Sequence, residues 1–598
     1  MATTYDKASL VMIPSGVKES KLYSIKPTDG SGDFTFSRGT DTATRVNASG
    51  LIEKERSNQI LQSNTFTTTW STTRASFVSG QAGYDGTNDA WAFVDDANNS
   101  THLSAQSLSL GASVATFSIY AKAGDVDFLA VRFEGSAVDY AYFNLASGTL
   151  GTIDSDYIEA RITDVGGGWY RCEATRVLAA SGNQVVLLAA QANNDPTYAG
   201  AGTTAIYIQD AQLEQGLVAT DYIETTTAAV YEGITDNLPR LDYSGGASCP
   251  SLLLEPSRTN GIVNSEYISA GVNWSAASGM TTENNSIVSP EGVQNATKLI
   301  RPNSTAPAWI RESNITATIG LNQVISVFAK SGSNDILNIT YYDQTAGDLF
   351  FNYDLSDGTI YSAPTGSAYY VDAGIEDYGN GWYRCYAIAE AGRVDPQFQL
   401  SVGTNRGGAA NSYLYIYGAS HEKDVSYQTS YIPTYGASAS RAQDLSVTAS
   451  PSTSYFGQTE GTIFTEIKIN AITSGLYSRV FNLKNSGGSN QIYIQQNDSR
   501  LTGVVFNGSN QFSGSLSSGS LVVGQTYKAA LAYKDSDYAF YVDGTQIDTG
   551  SSSGLGTLAV DRLDFTTGVG NIGLGNEVKQ ALVFKTRLTN AELAALTA

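Results

Sequence analysis

The chain has 598 residues and a formal net charge of −22, with 59 glycines and 36 tyrosines but only 13 prolines. That length exceeds what one core can serve and divides into about three or four domains. The acidic surplus excludes nucleic acid and anionic membrane surfaces as main partners. No run of 18 apolar residues occurs, and the start "MATTYDKASLVMIPSG" lacks the basic-then-apolar order of a signal peptide, so neither membrane insertion nor signal-led export is expected.

Residues 1–53 precede the first domain and end in "GDFTFSRGTDTATRVNASGLIE" (Gly32–Glu53). Residues 54–230 read as a first unit of short strands. "DYAYF" places Tyr140 and Tyr142 on one face of a strand, and "VVLLAAQA" (Val185–Ala192) reads as a strand buried on both sides. Within "DVGGGWYRCEA" (Asp164–Ala174) a glycine-rich turn leads into alternating residues, the mark of a half-buried strand. Residues 231–260 form a connector containing "NLPRLDYSGGASCPSLLLEPSRTN" (Asn237–Asn260).

Residues 261–440 repeat the first unit. "DYGNGWYRCYA" (Asp377–Ala387) returns the glycine-rich motif about 210 residues on. "ISVFAKSG" (Ile325–Gly332) answers "FSIYAKAG" (Phe117–Gly124), and "YDLSDGTI" (Tyr353–Ile360) answers "FNLASGTL" (Phe143–Leu150). A period this long is a duplicated domain, not a solenoid repeat. Residues 445–598 form a third β-rich unit. There "KDSD" turns a hairpin, and Thr589 or Asn590 caps the one helical segment, "LTNAELAALTA". The expected fold class is therefore all-β: three tandem antiparallel sandwiches or jelly rolls after a short N-terminal segment.

Catalytic chemistry finds little support. Cys172, Cys249 and Cys385 are too few and too scattered for a disulfide framework and read as reduced thiols, mostly buried. "GSSSG" (Gly550–Gly554) matches a nucleophile elbow only in letters, since no histidine follows it. Glycoside hydrolysis needs two carboxylates about 5 to 9.5 Å apart, and Asp125 and Asp127 in "DVDFLAVRFEG" read better as turn carboxylates. No His/Cys cluster has zinc spacing.

The two phrases Gly32–Glu53 and Asn237–Asn260 resemble a pattern of tailed-bacteriophage virion proteins, in which they usually adjoin; here the first repeated unit is inserted between them. The repeated units resemble carbohydrate-binding-module jelly rolls through the early tryptophans Trp70 and Trp274, "YAKAG" and "GWYRC". The last unit resembles laminin-G or concanavalin-A-like domains through "YVDGTQI" and "LTNAEL". That resemblance implies a virion location, reached without a signal peptide, and a tail- or head-fibre adhesin that holds host-surface polysaccharide without cleaving it. A purely structural decoration protein and a polysaccharide depolymerase are the alternatives. While position alone, ahead of the first repeated unit, marks residues 1–53 as the segment that attaches to other virion proteins, the resemblance also implies a homo-oligomer (a trimer by family habit) and no required cofactor apart from a structural calcium ion with Asp210 among its ligands. The second copy carries Gly418 at that place. Sugars stack on exposed aromatic rings. The candidates are Trp91 and Trp309, which are not duplicated, with Tyr140, Tyr142, Tyr341 and Tyr342. The duplicated Trp70, Trp169, Trp274 and Trp382 read as core.

Overall fold

The computed structural model describes residues 4–134, 139–271, 273–302, 306–343, 345, 347–448, 452–472, 475, 477–565 and 575–598. Their fold is all-β, in antiparallel sheets that pair into sandwiches. Among these residues no helix is long and apolar enough to cross a membrane.

The duplication is visible strand by strand. One sheet of the first sandwich runs Tyr157–Gly166, Trp169–Val177, Val114–Ala123, Thr204–Gln215, Ala90–Asp95, Ala75–Gln81. Its counterpart runs Tyr370–Asp377, Trp382–Glu390, Asn322–Lys330, Tyr413–Glu422, Ala296–Ile300, Thr281–Ile287. Even the irregularities agree. Lys122 lies opposite Trp169 as Lys330 lies opposite Trp382, and the pairing slips between Ser118 and Tyr120 as between Ser326 and Phe328. The facing strand turns left-handed there, at Asp210 (φ 54°) and at Gly418 (φ 60°). Glycine and, less readily, aspartate tolerate that conformation, so the exchange at this position follows the backbone.

The repeated motif is structural. Cys172, Ala174, Cys385 and Ala387 point into the two cores, while Trp169 and Trp382 are buried on the opposite side of their strands. Arg384 donates to the Thr429 carbonyl at 2.7 Å and to Ser326 Oγ at 3.2 Å; Arg171 does the same with Thr220 and Ser118. Each arginine thus pins the segment that leaves its sandwich. Burial pushes both motif thiols well above the ordinary cysteine range, which leaves them poor nucleophiles. Cys249, by contrast, is exposed.

The C-terminal sandwich is where the structure departs from the sequence reading. Residues 1–53 were expected to stand apart as an attachment segment, yet Leu10–Met12 pairs with the strand Asn576–Phe584, and Phe34–Ser37 pairs with Leu445–Thr448. The connector strand Ser251–Leu254 pairs with Asn576–Phe584 as well. Leu10, Met12, Leu22, Phe34, Leu252 and Leu254 all lie in that sandwich's core. These strands are two to four residues long, too short for local periodicity to name their partners.

The two parted phrases meet in space. Val46 N donates to Asp242 Oδ1 at 2.8 Å, Tyr243 N to the Val46 carbonyl at 3.0 Å, and Arg240 Nη1 to the Thr44 carbonyl at 3.0 Å. Arg56–Asn58 pairs with Val230–Glu232 and closes the neck of the inserted sandwich. Beneath lies a buried charge hub. Glu255 Oε2 accepts from Arg240 at 2.7 Å and contacts Arg441 at 3.0 Å, while Asp444 contacts Arg38 at 3.3 Å and also binds Arg240. Burial alone would raise the Glu255 pKa; Arg441 and Arg240 overcome it and hold the carboxyl well below the usual range.

His421 lies in the second sandwich, opposite Ile325, with Nε2 3.1 Å from Gln323 Oε1. Burial pushes its pKa down to about 4, outweighing the pull of Asp424. The unfolded chain takes a proton near pH 6.5 that the folded chain refuses. Stability is therefore full above that pH and drains away as the pH falls toward 4. His421→Gln should remove roughly 2 to 3 kcal/mol of that loss. Urea midpoints of both proteins at pH 7 and pH 4.5 check it; parallel shifts in the two would refute it.

Candidate functional site

The second sheet of the second sandwich runs Trp274–Ala277, Trp309–Glu312, Gln397–Val402, Ile336–Asp343, Gly347–Asp354, Thr359–Ser362. Alternation sends Leu337, Ile339, Tyr341, Leu349, Phe351, Phe398 and Leu400 into the core. Their neighbours form the outer face in register. Phe350, Thr340, Gln399 and Arg311 make one row; Asn352, Asn338 and Ser401 make a second; Asp348, Tyr342 and Gln397 make a third. Trp309 shares this face with Arg311, two residues along the same strand.

A network of side chains crosses the face. Thr340 Oγ1 donates to Asn338 Oδ1 at 2.9 Å, Asn338 Nδ2 to Asn352 Oδ1 at 3.0 Å, and Asn352 Nδ2 to Asn405 Oδ1 at 2.7 Å. Arg311 Nη1 and Gln399 Nε2 both reach Gln397 Oε1, at 3.3 and 3.0 Å. The Arg406 guanidinium lies over three rings, its carbon 4.7 Å from the Trp309 centroid, 5.1 Å from Phe350 and 5.9 Å from Tyr342. Its Nη1 donates to Asp348 Oδ2 at 2.7 Å. Asn338, Thr340, Asn352, Gln399 and Ser401 are buried beneath this face, so the half-buried Trp309, Tyr342 and Phe350 rings with Arg311 and Gln397 are what it presents to a sugar: rings for the C–H face, polar groups for the hydroxyls.

The equivalent face of the first sandwich has kept its core and changed its chemistry. Its rows are Tyr140, Arg132, Val186, Ala105 and Tyr142, Ala130, Leu188, Leu103. Where the second copy offers Asn352, Asn338 and Ser401, the first offers Tyr142, Ala130 and Leu188, joined in an apolar cluster. Tyr142 is 1% exposed, and Arg132 stacks on Tyr140 and donates to its hydroxyl at 3.2 Å.

The sequence candidates therefore separate. Trp309 and Tyr342 come together on one face. Tyr341 is core, fully buried, with its phenol pKa raised by burial. Tyr140 and Tyr142 share a face, as alternation implied, but an apolar one. Trp91 is half-buried in the other sheet of its sandwich, packs edge-on to Phe66 and Phe77, and donates to the Asn64 carbonyl at 3.0 Å. Trp70, Trp169, Trp274 and Trp382 are buried, as read. Arg406 went unnoticed in the loop "GTNRGG"; the only local signal is its place between glycines that let the chain turn back over the sheet.

Asp210, the calcium ligand that the resemblance implies, stands beside Asp85 and Asp89. Burial, then the neighbouring Asp89 and Asp85, lift its carboxyl to about 7, and Tyr84 donates to Oδ2 at 3.0 Å. Among the described residues no group of three or more His, Cys, Asp or Glu is placed to hold a metal ion. At the position matching Asp85, the second copy has Glu291, which binds the Lys54 ammonium at 2.6 Å together with Glu266 at 2.7 Å. That trio lines a cavity of about 260 Å³ where the two repeated sandwiches meet.

No family model and no curated protein matches the chain. Solved structures similar to part of it include the CBM40 module of Ruminococcus gnavus IT-sialidase bound to α2,3-sialyllactose, at 17% identity, covering 24% of this chain and 84% of that one, with a TM-score of 0.21. Domain 4 of AbnA, a GH43 extracellular arabinanase from Geobacillus stearothermophilus in complex with arabinotriose, is 12% identical, covering 27% and 77%, with a TM-score of 0.22. A botulinum neurotoxin type C structure, described by the dependence of cell entry on two ganglioside molecules, is 16% identical, covering 26% and 40%, with a TM-score of 0.22. At these scores the likeness carries no argument about function.

Proposed function

We propose that this chain is a surface protein of a tailed-phage virion that holds host-surface polysaccharide, without cleaving it, on the outer face of its second sandwich. One observation carries the glycan reading. Two copies of one fold keep the same core, and only the second has turned its outer face into a polar network around Trp309, Tyr342 and Phe350. The virion reading rests on the two phrases that resemble phage structural proteins, and on their meeting around the buried charge hub. Non-cleavage is supported by the face itself: its three rows contain one carboxylate, Asp348, and that is paired with Arg406. Attachment to the virion falls to the C-terminal sandwich, into which the N-terminal strands are woven. The apolar outer face of the first sandwich is itself buried within the chain and gives the decoration alternative no open surface.

The test applies the full chain to a panel of bacterial envelopes and purified polysaccharides, scoring saturable retention and newly released reducing ends together. Retention without new ends is the expected result. No retention on any surface overturns the adhesin in favour of decoration, and new ends overturn the non-cleaving reading. Light scattering on the same preparation checks the trimer.

A further inference from the structure

Arg406 is held by more than its ion pair. It sits with Asn405 in a left-handed turn (φ 63° and 50°), a conformation that non-glycine residues seldom take, and its carbonyl accepts from Arg301 Nη1 at 2.7 Å. The turn aims the side chain back across the outer face. Arg406 is 9% exposed, and its Nη1 is taken by Asp348. Its Nε and Nη2 are buried and have no hydrogen-bond partner among the described residues, and neither has the buried indole Nε1 of Trp309 beside them. Three donor nitrogens, two of them on a cation, thus stand together without an acceptor among the described residues. Leaving charged donors unmatched costs more than leaving neutral ones.

We propose that this face selects acidic sugars, with a carboxylate seated on the Nε–Nη2 edge of Arg406 beside the Trp309 indole N–H. The inference rests on the reading of the face as a glycan site and names its ligand class. The side edge of a guanidinium presents two parallel N–H groups at the spacing of the two carboxylate oxygens, which a single hydroxyl cannot match. The local charge agrees. Within the three rows, Arg311 and the overlying Arg406 stand against Asp348, while Asp354 at the end of the same strand is held in a turn by Ser356, in a chain whose net charge is −22. Because the whole protein repels polyanions, selection has to come from these contacts, not from long-range steering. The three donors are closed to solvent in this structure, so the Trp309 ring swings aside as the carboxylate enters, and its fluorescence reports the event.

The experiment titrates the full chain with carboxylated bacterial polysaccharides, each paired with its carboxyl-reduced neutral form, by calorimetry and tryptophan fluorescence. The acidic form of a bound polymer is expected to bind about tenfold tighter than its reduced form. Arg406→Gln should bring that ratio to about one. Asp348→Asn, which removes a competing negative charge and frees Nη1, should tighten the acidic form by about threefold and leave the neutral form unchanged. A merely structural Arg406–Asp348 pair predicts the opposite, weaker binding of both forms in both variants. Equal affinity of the wild type for the two forms overturns the acid selectivity while leaving the glycan site standing. So does binding of phosphate-bearing polymers alone. Binding of neither form overturns both.

Discussion

Asp444→Asn is expected to cost the second and third sandwiches about 3 to 5 kcal/mol of stability, the usual price of removing one charge from a buried, hydrogen-bonded pair. Asp444 and Glu255 together face Arg38, Arg240 and Arg441, and both Arg240 and Arg441 are wholly buried. The substitution keeps the side chain's shape but leaves three guanidinium groups against one carboxylate. It also sets an amide against the Glu255 N–H, which now donates to Asp444 Oδ2 at 2.9 Å. The hub gathers residues from the N-terminal stretch, the connector and the segment leaving the second sandwich, so its failure should loosen those junctions first. Calorimetry of the full chain reads this as a lowered transition for the second and third sandwiches beside an unchanged one for the first. A thermogram identical to the wild type's would show that the hub contributes nothing net. The pH dependence has a definite sign. Because the Glu255 pKa is depressed in the fold, its stabilisation is present above the ordinary carboxylate range and is lost only as the pH falls through the folded value. Acid should therefore act on the hub after it has already acted through His421.

Trp309→Ala is expected to weaken binding to any polysaccharide the chain retains by about 10- to 100-fold, the loss of one stacking platform at the centre of a site. Trp309 is half-buried, its ring lies beside Arg406, and it shares its face with the amide network of Asn338, Asn352 and Gln399. Trp91→Ala is the control. That ring packs on Phe66 and Phe77 and donates to a backbone carbonyl. Its removal should cost about 2 to 4 kcal/mol of stability in the first sandwich and leave affinity unchanged. Equal losses of affinity in the two variants would place the site on the first sandwich or spread it over both.

The sequence carried the duplication because motifs and intervals recur, and it carried the fold class because short alternating strands between glycine and asparagine turns have few other solutions. The site was half legible. Trp309 and Tyr342 stood out as aromatics without a duplicated counterpart or within a tyrosine pair, and the phase that separates Tyr341 from Tyr342 was present in "ILNITYYD", where Leu337 and Ile339 mark the inner face. Arg406 was not legible, because its role comes from a turn that returns over a sheet whose strands lie far away in the chain. The packing of Trp91 was hidden for a related reason: lack of a duplicated counterpart does not free a ring from contact when its neighbours, Phe66 and Phe77, are aromatic too. The N-terminal strands were hidden because pairing across more than 400 residues leaves no local trace.

That last pairing sets the timing of assembly. Leu10–Met12 lies beside Asn576–Phe584, so the strand made near the start of synthesis waits for one made near its end. At about 5 to 20 residues per second the wait is roughly half a minute to two minutes. Both repeated sandwiches are complete well before then and lie within the loop that this pairing closes. A ribosome that stalls after the second sandwich releases a chain with the Trp309 face already formed but its base unfinished, exposing the unpaired edges of Leu10–Met12 and Phe34–Ser37 to proteases. Closure of the base therefore acts as a proofreading step on length: only a chain translated through residue 584 acquires the C-terminal sandwich.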